Sequence, residues 1–188
     1  TGMKKKDAGS APLTPERVIR ARLHRLYGNL EIAAFFEKLI LMIVLLGVLF
    51  GYVFGITPMK SNDMSPRLSA GDLLLYYRLE TKFRSDDVVV FEKNGKQYVG
   101  RIVAKGGDSV EVTDDSQLKI NNSTMVETGI FYPTIKYGDE IAYPVNLNSD
   151  EYFILCDYRN GAKDSRYFGA VKQTEIKGKV LTLSLIHI

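Results

Sequence analysis

Residues 39–77 read LILMIVLLGVLFGYVFGITPMKSNDMSPRLSAGDLLLYY, and the change of pattern inside them decides the fold. The first 18 of them, Leu39 to Ile56, carry no charge. With IAAFF just upstream they predict a helix that can cross a bilayer, which takes about 20 apolar residues. The exit, Ile56-Thr57-Pro58-Met59, lacks the small-x-small pair of a cleavable leader, so 39–56 reads as an uncleaved anchor. After Pro58 the spacing becomes that of strands. DLLLYYRL, DVVVFEK, YVGRIVA, SVEVT, EYFILCDY and KGKVLTLSLI are short, rich in β-branched and aromatic residues, and bounded by Gly, Asp, Asn or Lys. No helix-period segment interrupts them. The expectation for 57–188 is a mainly β, antiparallel domain built as two sheets or a partly closed barrel.

Upstream, residues 1–15 read as a disordered start, with Thr1-Gly2 ahead of Met3 as an expression-vector scar. Thr14-Pro15-Glu16 opens a helix, and Ile19, Leu23, Leu26, Tyr27 and Leu30 share one of its faces. Residues 16–38 are therefore expected to form a basic amphipathic helix, either lying on an anionic lipid surface or simply solvated. Residues 1–38 hold eight Lys or Arg against four acids, while the rest of the chain is close to neutral. That asymmetry beside an apolar run points to a membrane, with 1–38 cytoplasmic and 57–188 extracytoplasmic. The net charge of +3 gives no reason to expect nucleic acid. A single cysteine, Cys156, excludes an intrachain disulfide, and His24 and His187 have no neighbouring ligands, so neither a metal nor another cofactor is expected.

Five blocks follow the anchor in order: SNDMSPRL (61–68), GDLLLYYR (71–78), DDVVVF (86–91), GRIVAKGGD (100–108) and CDYRNGAKDSRYFGAV (156–171). This arrangement resembles the type I signal peptidases of bacteria. The resemblance implies a serine peptidase with a lysine general base, a first block S-x-S-M-x-P-x-L, a second block opening on the lysine, and a third carrying a serine that orients it. Ser61, Met64, Pro66, Leu68, Arg101, Gly107 and Asp108 match. So do Asp157, Arg159, Asp164, Ser165 and Arg166, a structural motif in this family. Asp63 stands where the nucleophile belongs, Gly100 where the base belongs, and Ala162 where the supporting serine belongs.

Those three replacements leave a scaffold without its chemistry. A serine hydroxyl needs a base, and a lysine serves only when burial lowers its pKa. Peptide-cleaving aspartates work as a pair on water, and no second carboxylate is evident beside Asp63. The alternative is a relocated pair, with Ser61 or Ser65 as nucleophile and Lys60 or Lys105 as base; moving the attacking atom by two residues displaces it by several ångströms. A cleft formed by Ser61, Asp63, Met64, Pro66, Gly100 and Arg101 is expected to hold a client polypeptide, with Met64 and Leu73 to Tyr77 as an apolar rim. Two readings of the Gly100 position stay open: a vacant lysine-shaped slot beside a carboxylate, or drift after loss of activity. The Asp-and-Gly pair is similar to that of signal-peptidase-like accessory proteins of Gram-positive pilus systems. That likeness implies a membrane-held, chaperone-like role with pilin subunits, a class C sortase, or both as partners.

Overall fold

The computed structural model describes residues 14–138 and 141–182, so residues 1–13 of the stretch expected to be disordered and the last part of KGKVLTLSLI fall outside them, while Pro15 of that stretch is helical. The chain forms two compact units, 1–47 and 48–188.

In the first unit, helix α1 runs from Pro15 to Val48, ending just past the unit boundary. The Thr14 carbonyl accepts from Arg17 and Val18 amides, Pro15 occupies the first helical position without losing a bond, and Glu16 faces the positive helix end. The two helical segments expected, 16–38 and 39–56, thus share one helix, and neither Gly28 nor Gly47 interrupts it. Its large apolar side chains, among them Ile19, Leu30, Phe35, Leu41 and Leu45, are exposed along its length. It is long and apolar enough to cross a membrane.

The second unit opens with a π-helical turn, Leu49–Val53, closed by the Phe54 amide on the Leu49 carbonyl. Phe54 is already extended and starts strand β1, Phe54–Pro58. The apolar run therefore overshoots the helix by three residues: Phe54, Gly55 and Ile56 belong to a strand, because they pair with β2, Leu73–Tyr77, from Phe54 opposite Tyr77 to Pro58 opposite Leu73. Gly55 permits this pairing, since a Cβ there would sit 2.1 Å from the Tyr76 ring. Strands β3 (Val88–Lys93) and β4 (Lys96–Lys105) form a hairpin whose two-residue turn, Asn94-Gly95, has φ of 51° and 71°, the left-handed pair that matches strand twist.

The remaining strands are β5 (Ser109–Val112), β6 (Leu118–Ile120), β7 (Ser123–Thr124), β8 (Val145–Asn146), β9 (Glu151–Leu155), β10 (Val171–Lys172) and β11 (Ile176–Thr182). They build a seven-stranded sheet of order β1-β2-β11-β3-β4-β9-β10 and a four-stranded sheet of order β7-β6-β5-β8, every pairing antiparallel. The two-sheet form of the expectation holds, and no barrel closes among the described residues. One short helix, α2 (Ser165–Phe168), does interrupt the strands, capped by the Asp164 carboxylate on the Arg166 amide.

Three apolar clusters hold the sheets, and each fully buried large side chain among them is worth about 1.5–3 kcal/mol. Val110, Val112, Leu118 and Leu147 of the small sheet and its flank pack on Phe153 and Leu155. Val89, Phe91, Ile102 and Ile154 form a second cluster, and Met59, Met64, Leu68, Leu74, Cys156 and Ala162 a third. The third lies under the SNDMSPRL turn and positions the site.

Candidate functional site

The turn between β1 and β2 is clamped at its base by Met59 N to Asp72 O and Gly71 N to Met59 O, both 2.8 Å. Inside it Ser65 N donates to Asn62 O at 2.9 Å, Leu68 N to Met64 O at 3.1 Å, and Ala70 N to Asn62 Oδ1 at 2.8 Å. This winding turns Met64 and Leu68 inward, where both are buried, and leaves Ser61 and Asp63 half-buried. Ser61 Oγ donates to Asp63 Oδ2 at 2.6 Å. The Asp63 carbonyl accepts from Tyr158 N at 2.8 Å, and Met64 Sδ accepts from Asp157 N at 3.4 Å. The turn is thus fastened to the residues after β9 by one main-chain bond and one from a main-chain amide to a thioether.

Gly100 does not open beside this pair. It sits on β4 opposite Val89, and a Cβ there would lie 2.6 Å from Ile154 Cγ2, 3.2 Å from the Leu155 carbonyl oxygen and 3.5 Å from Phe91 Cε1. Its side-chain direction is occupied by the second apolar cluster. The cavity at Asp63 is only about 40 Å³, room for one or two waters. Ser61, Lys60, Thr57, Gln97 and Val99 line it with Asp63, and Gly100 does not. The idea of a vacant lysine-shaped slot is corrected by this packing.

Asp157, Arg159, Asp164, Ser165 and Arg166 are all buried. Arg101 grips Asp157 with Nε on Oδ1 at 2.8 Å and Nη2 on Oδ2 at 2.7 Å. That bond is the main cause holding the Arg101 guanidinium above its ordinary pKa, against the opposing effect of burial. Arg166 grips Asp164 in the same two-pronged way at 2.9 and 2.8 Å, with both residues fully buried. Ser165 Oγ accepts from Ile154 N at 2.9 Å, and Asp164 Oδ2 accepts from Cys156 N at 3.1 Å. Arg159, also fully buried, donates to the Cys156 carbonyl at 2.8 Å, to Thr134 Oγ1 and to Glu127 Oε1.

Of the residues read as a client cleft, Ser61 and Asp63 meet at the small cavity and Pro66 is exposed beside them in the turn. Met64 is core rather than rim, Gly100 packs in the sheet, and Arg101 faces Asp157 and a different cavity. Val99, Tyr158, Glu127 and Thr134 contribute unforeseen contacts; the last two reach Arg159 across 32 and 25 residues, a separation that leaves no local signal. As for a relocated pair, Lys60 and Lys105 are both exposed, and no hydrogen bond joins either amine to Ser61 or Ser65 among the described residues.

Cys156 lies at the centre of this packing. Burial pushes its thiol well up, and the nearby carboxylates of Asp164, Asp63 and Asp157 add to the shift, opposed by Arg166. A raised pKa favours the neutral thiol, so its contribution to stability is present below the unfolded value near 8.5 and fades as pH rises toward the folded one. The folded chain is expected to resist iodoacetamide at pH 8 while the denatured chain alkylates fully, as read by intact mass. Rapid alkylation of the folded chain would contradict the buried placement.

An apolar helix leading into a β domain, with an SNDMSPRL turn seated on a buried Asp/Arg block, is the arrangement of a signal-peptidase-type protein. The chain belongs to that family: the family described as "Signal peptidase, peptidase S26" matches residues 32–184. Among its relatives, the "Probable signal peptidase I-2" of Synechocystis is 29% identical over 131 residues, covering 63% of this chain and 57% of that protein, so the match spans less than two thirds of that relative. The "Inactive signal peptidase IA" of Staphylococcus aureus strain Mu50 is 26% identical over 159 residues, covering 80% and 90%. The "Signal peptidase I" of Bacillus caldolyticus is 29% identical over 143 residues, covering 69% and 78%. A crystal structure of a signal peptidase I from Enterococcus faecalis V583 aligns with 54% of this chain and 97% of that one, at 29% identity and a TM-score of 0.43.

Proposed function

We propose that this protein is a non-catalytic signal-peptidase homologue that works at the cell membrane as a chaperone-like accessory factor in pilus assembly. One observation carries the non-catalytic part: Asp63 engages Ser61 Oγ at 2.6 Å, while the position of the family's base is a glycine packed against Ile154. That pair has a hydrogen-bonded carboxylate and no amine, so the serine–lysine chemistry that the resemblance implies lacks its base there. The likeness to relatives named inactive supports this reading. The membrane anchor starts at Leu39 within α1, with residues 1–38 in the cytoplasm and 57–188 outside, a topology that the basic asymmetry favours. The clients are pilin subunits, a class C sortase, or both, a role that rests on the likeness of the Asp63 and Gly100 pair to pilus accessory proteins.

Deleting the gene from a pilus-forming host is expected to abolish the high-mass pilin ladder on a gel, and Ser61→Ala or Ser65→Ala copies are expected to restore it. The purified full chain is expected to leave a leader-bearing precursor with an A-x-A exit intact. Cleavage that disappears in Ser61→Ala or Ser65→Ala would establish a relocated nucleophile and overturn the proposal. Unchanged ladders in the deletion strain would overturn the pilus role alone.

A further inference from the structure

A larger cavity, about 360 Å³, shares no lining residue with the small one at Asp63. Its size is that of a ligand pocket. Val103, Leu118, Ile120, Met125 and Ile130 give it an apolar side, and Arg67 and Arg101 line it too.

Another part of its lining comes from the segment Met125–Thr134. Met125 N donates to Leu118 O at 2.9 Å, and the segment's next main-chain bond to a neighbouring element is Thr134 N to Ser116 O at 3.1 Å. Between them the main chain runs free of the strands and is held by side chains. Glu127 pairs with buried Arg159, and Arg67 Nη2 reaches the Thr128 carbonyl at 3.4 Å. Gly129, at φ +83°, brings the segment so close that a Cβ would meet Arg67 Nη2 at 2.7 Å.

The two arginines are not equivalent. Arg101 spends Nε and Nη2 on Asp157 and Nη1 on the Asp86 carbonyl. The Arg67 side chain is 43% exposed, and its nearest carboxylate oxygen, Asp157 Oδ2, is 4.0 Å away and already bonded to Arg101. Asp86 also lines the cavity and its charge acts on Arg101, but no hydrogen bond or ion pair joins its carboxylate to Arg67 among the described residues. Beyond its Nη2 contact with the Thr128 carbonyl and its 4.0 Å pairing with Asp157, Arg67 keeps further N–H groups for a ligand beside an apolar trough.

We propose that this cavity binds the carboxylate-ended tail of an apolar peptide. Arg67 takes the terminal carboxylate with two parallel bonds, the geometry for which a guanidinium is built. The preceding apolar side chains fill the Leu118, Ile120, Met125 and Ile130 wall. The main-chain groups of the lining residues Val126, Glu127 and Ile130 bond the peptide backbone, as in other captures of chain termini. An alkyl chain offers nothing to those groups, which favours a peptide over a fatty acid. The inference is independent of the pilus-assembly reading.

The test uses the full chain in lipid nanodiscs with ¹³C-methyl methionine. Met125 lines this cavity and Met59 lines the one at Asp63, so their methyl signals separate the two sites. Acetyl-Val-Leu-Val with a free carboxylate is expected to shift the Met125 methyl saturably, and its C-terminal amide to bind about tenfold more weakly, the loss of one charge-assisted contact. Arg67→Gln is expected to abolish the difference between acid and amide. Val126→Asp, at a position 92% exposed and so free of folding cost, is expected to weaken both peptides. Equal binding of acid and amide, no Met125 shift up to millimolar peptide, a shift at Met59 alone, or octanoate matching the peptide would each overturn the proposal.

Discussion

Arg166→Ala is expected to remove about 3–5 kcal/mol of stability from the β domain. Arg166 and Asp164 are both fully buried, and the guanidinium also donates to the Ile135 carbonyl at 3.2 Å and stacks over Tyr137 with 4.3 Å to the ring centroid. Burial alone would pull the arginine pKa down; the Asp164 contact outweighs it, and the net direction is up. Without the guanidinium, Asp164 keeps only the Cys156 and Arg166 amides as partners, and a charge stays buried without a counter-charge. Burying a charge in that state costs far more than the intact pair gains. Lys177→Ala is the control: its pair with Glu92 at 3.0 Å joins side chains 44% and 46% exposed, and its loss is expected to cost under about 1 kcal/mol. Denaturant titration of the three proteins measures the difference. Losses of similar size would show that the Asp164–Arg166 pair is not isolated from solvent.

The sequence yields most where a local rule is sufficient. Asn94-Gly95 between two alternating runs requires a tight hairpin, and β3 and β4 pair across it from Lys93 opposite Lys96. The uncharged run from Leu39 is helical as far as Val53, as its composition requires. The helix end is not legible, because Phe54-Gly55-Ile56 is apolar either way and only pairing with β2 makes it a strand. Two-residue strands such as β8 and β10 carry no period at all. For the site, sequence order places Asp157, Arg159, Asp164 and Arg166 in one block, and the structure buries all four. What it cannot give is direction. Met64 reads as a rim residue until the turn winds it into the core, and Gly100 reads as an empty position until its Cβ vector is seen to face Ile154. Both depend on which side of a strand or turn faces which neighbour, a property fixed by distant residues.

Introducing the serine, lysine and serine that the sequence resemblance implies, as Asp63→Ser, Gly100→Lys and Ala162→Ser, is expected to destabilise the domain without producing leader cleavage. The reason lies at position 100. The new side chain must leave the backbone toward Ile154 Cγ2 at 2.6 Å and the Leu155 carbonyl oxygen at 3.2 Å. Ile154 is fully buried, and the carbonyl is main chain of β9, so neither gives way cheaply. Overpacking of this kind costs about 1–3 kcal/mol. An ammonium driven among Val89, Phe91 and Ile154, all at 0% exposure, adds the penalty of an unpaired buried charge. Ile154→Ala separates strain from charge. On its own it is expected to cost about 2–5 kcal/mol as a cavity, and in the Gly100→Lys background at least about 1 kcal/mol less, because the deleted methyl is the one in the way. Additive losses would mean that the lysine escapes toward Asp63 without displacing Ile154. Leader cleavage by the triple variant would mean the same, because the base would then have reached the turn. Either result would tie the proposed absence of peptidase chemistry to residue identity alone, whereas the packing at Gly100 ties it to how β4 and β9 meet.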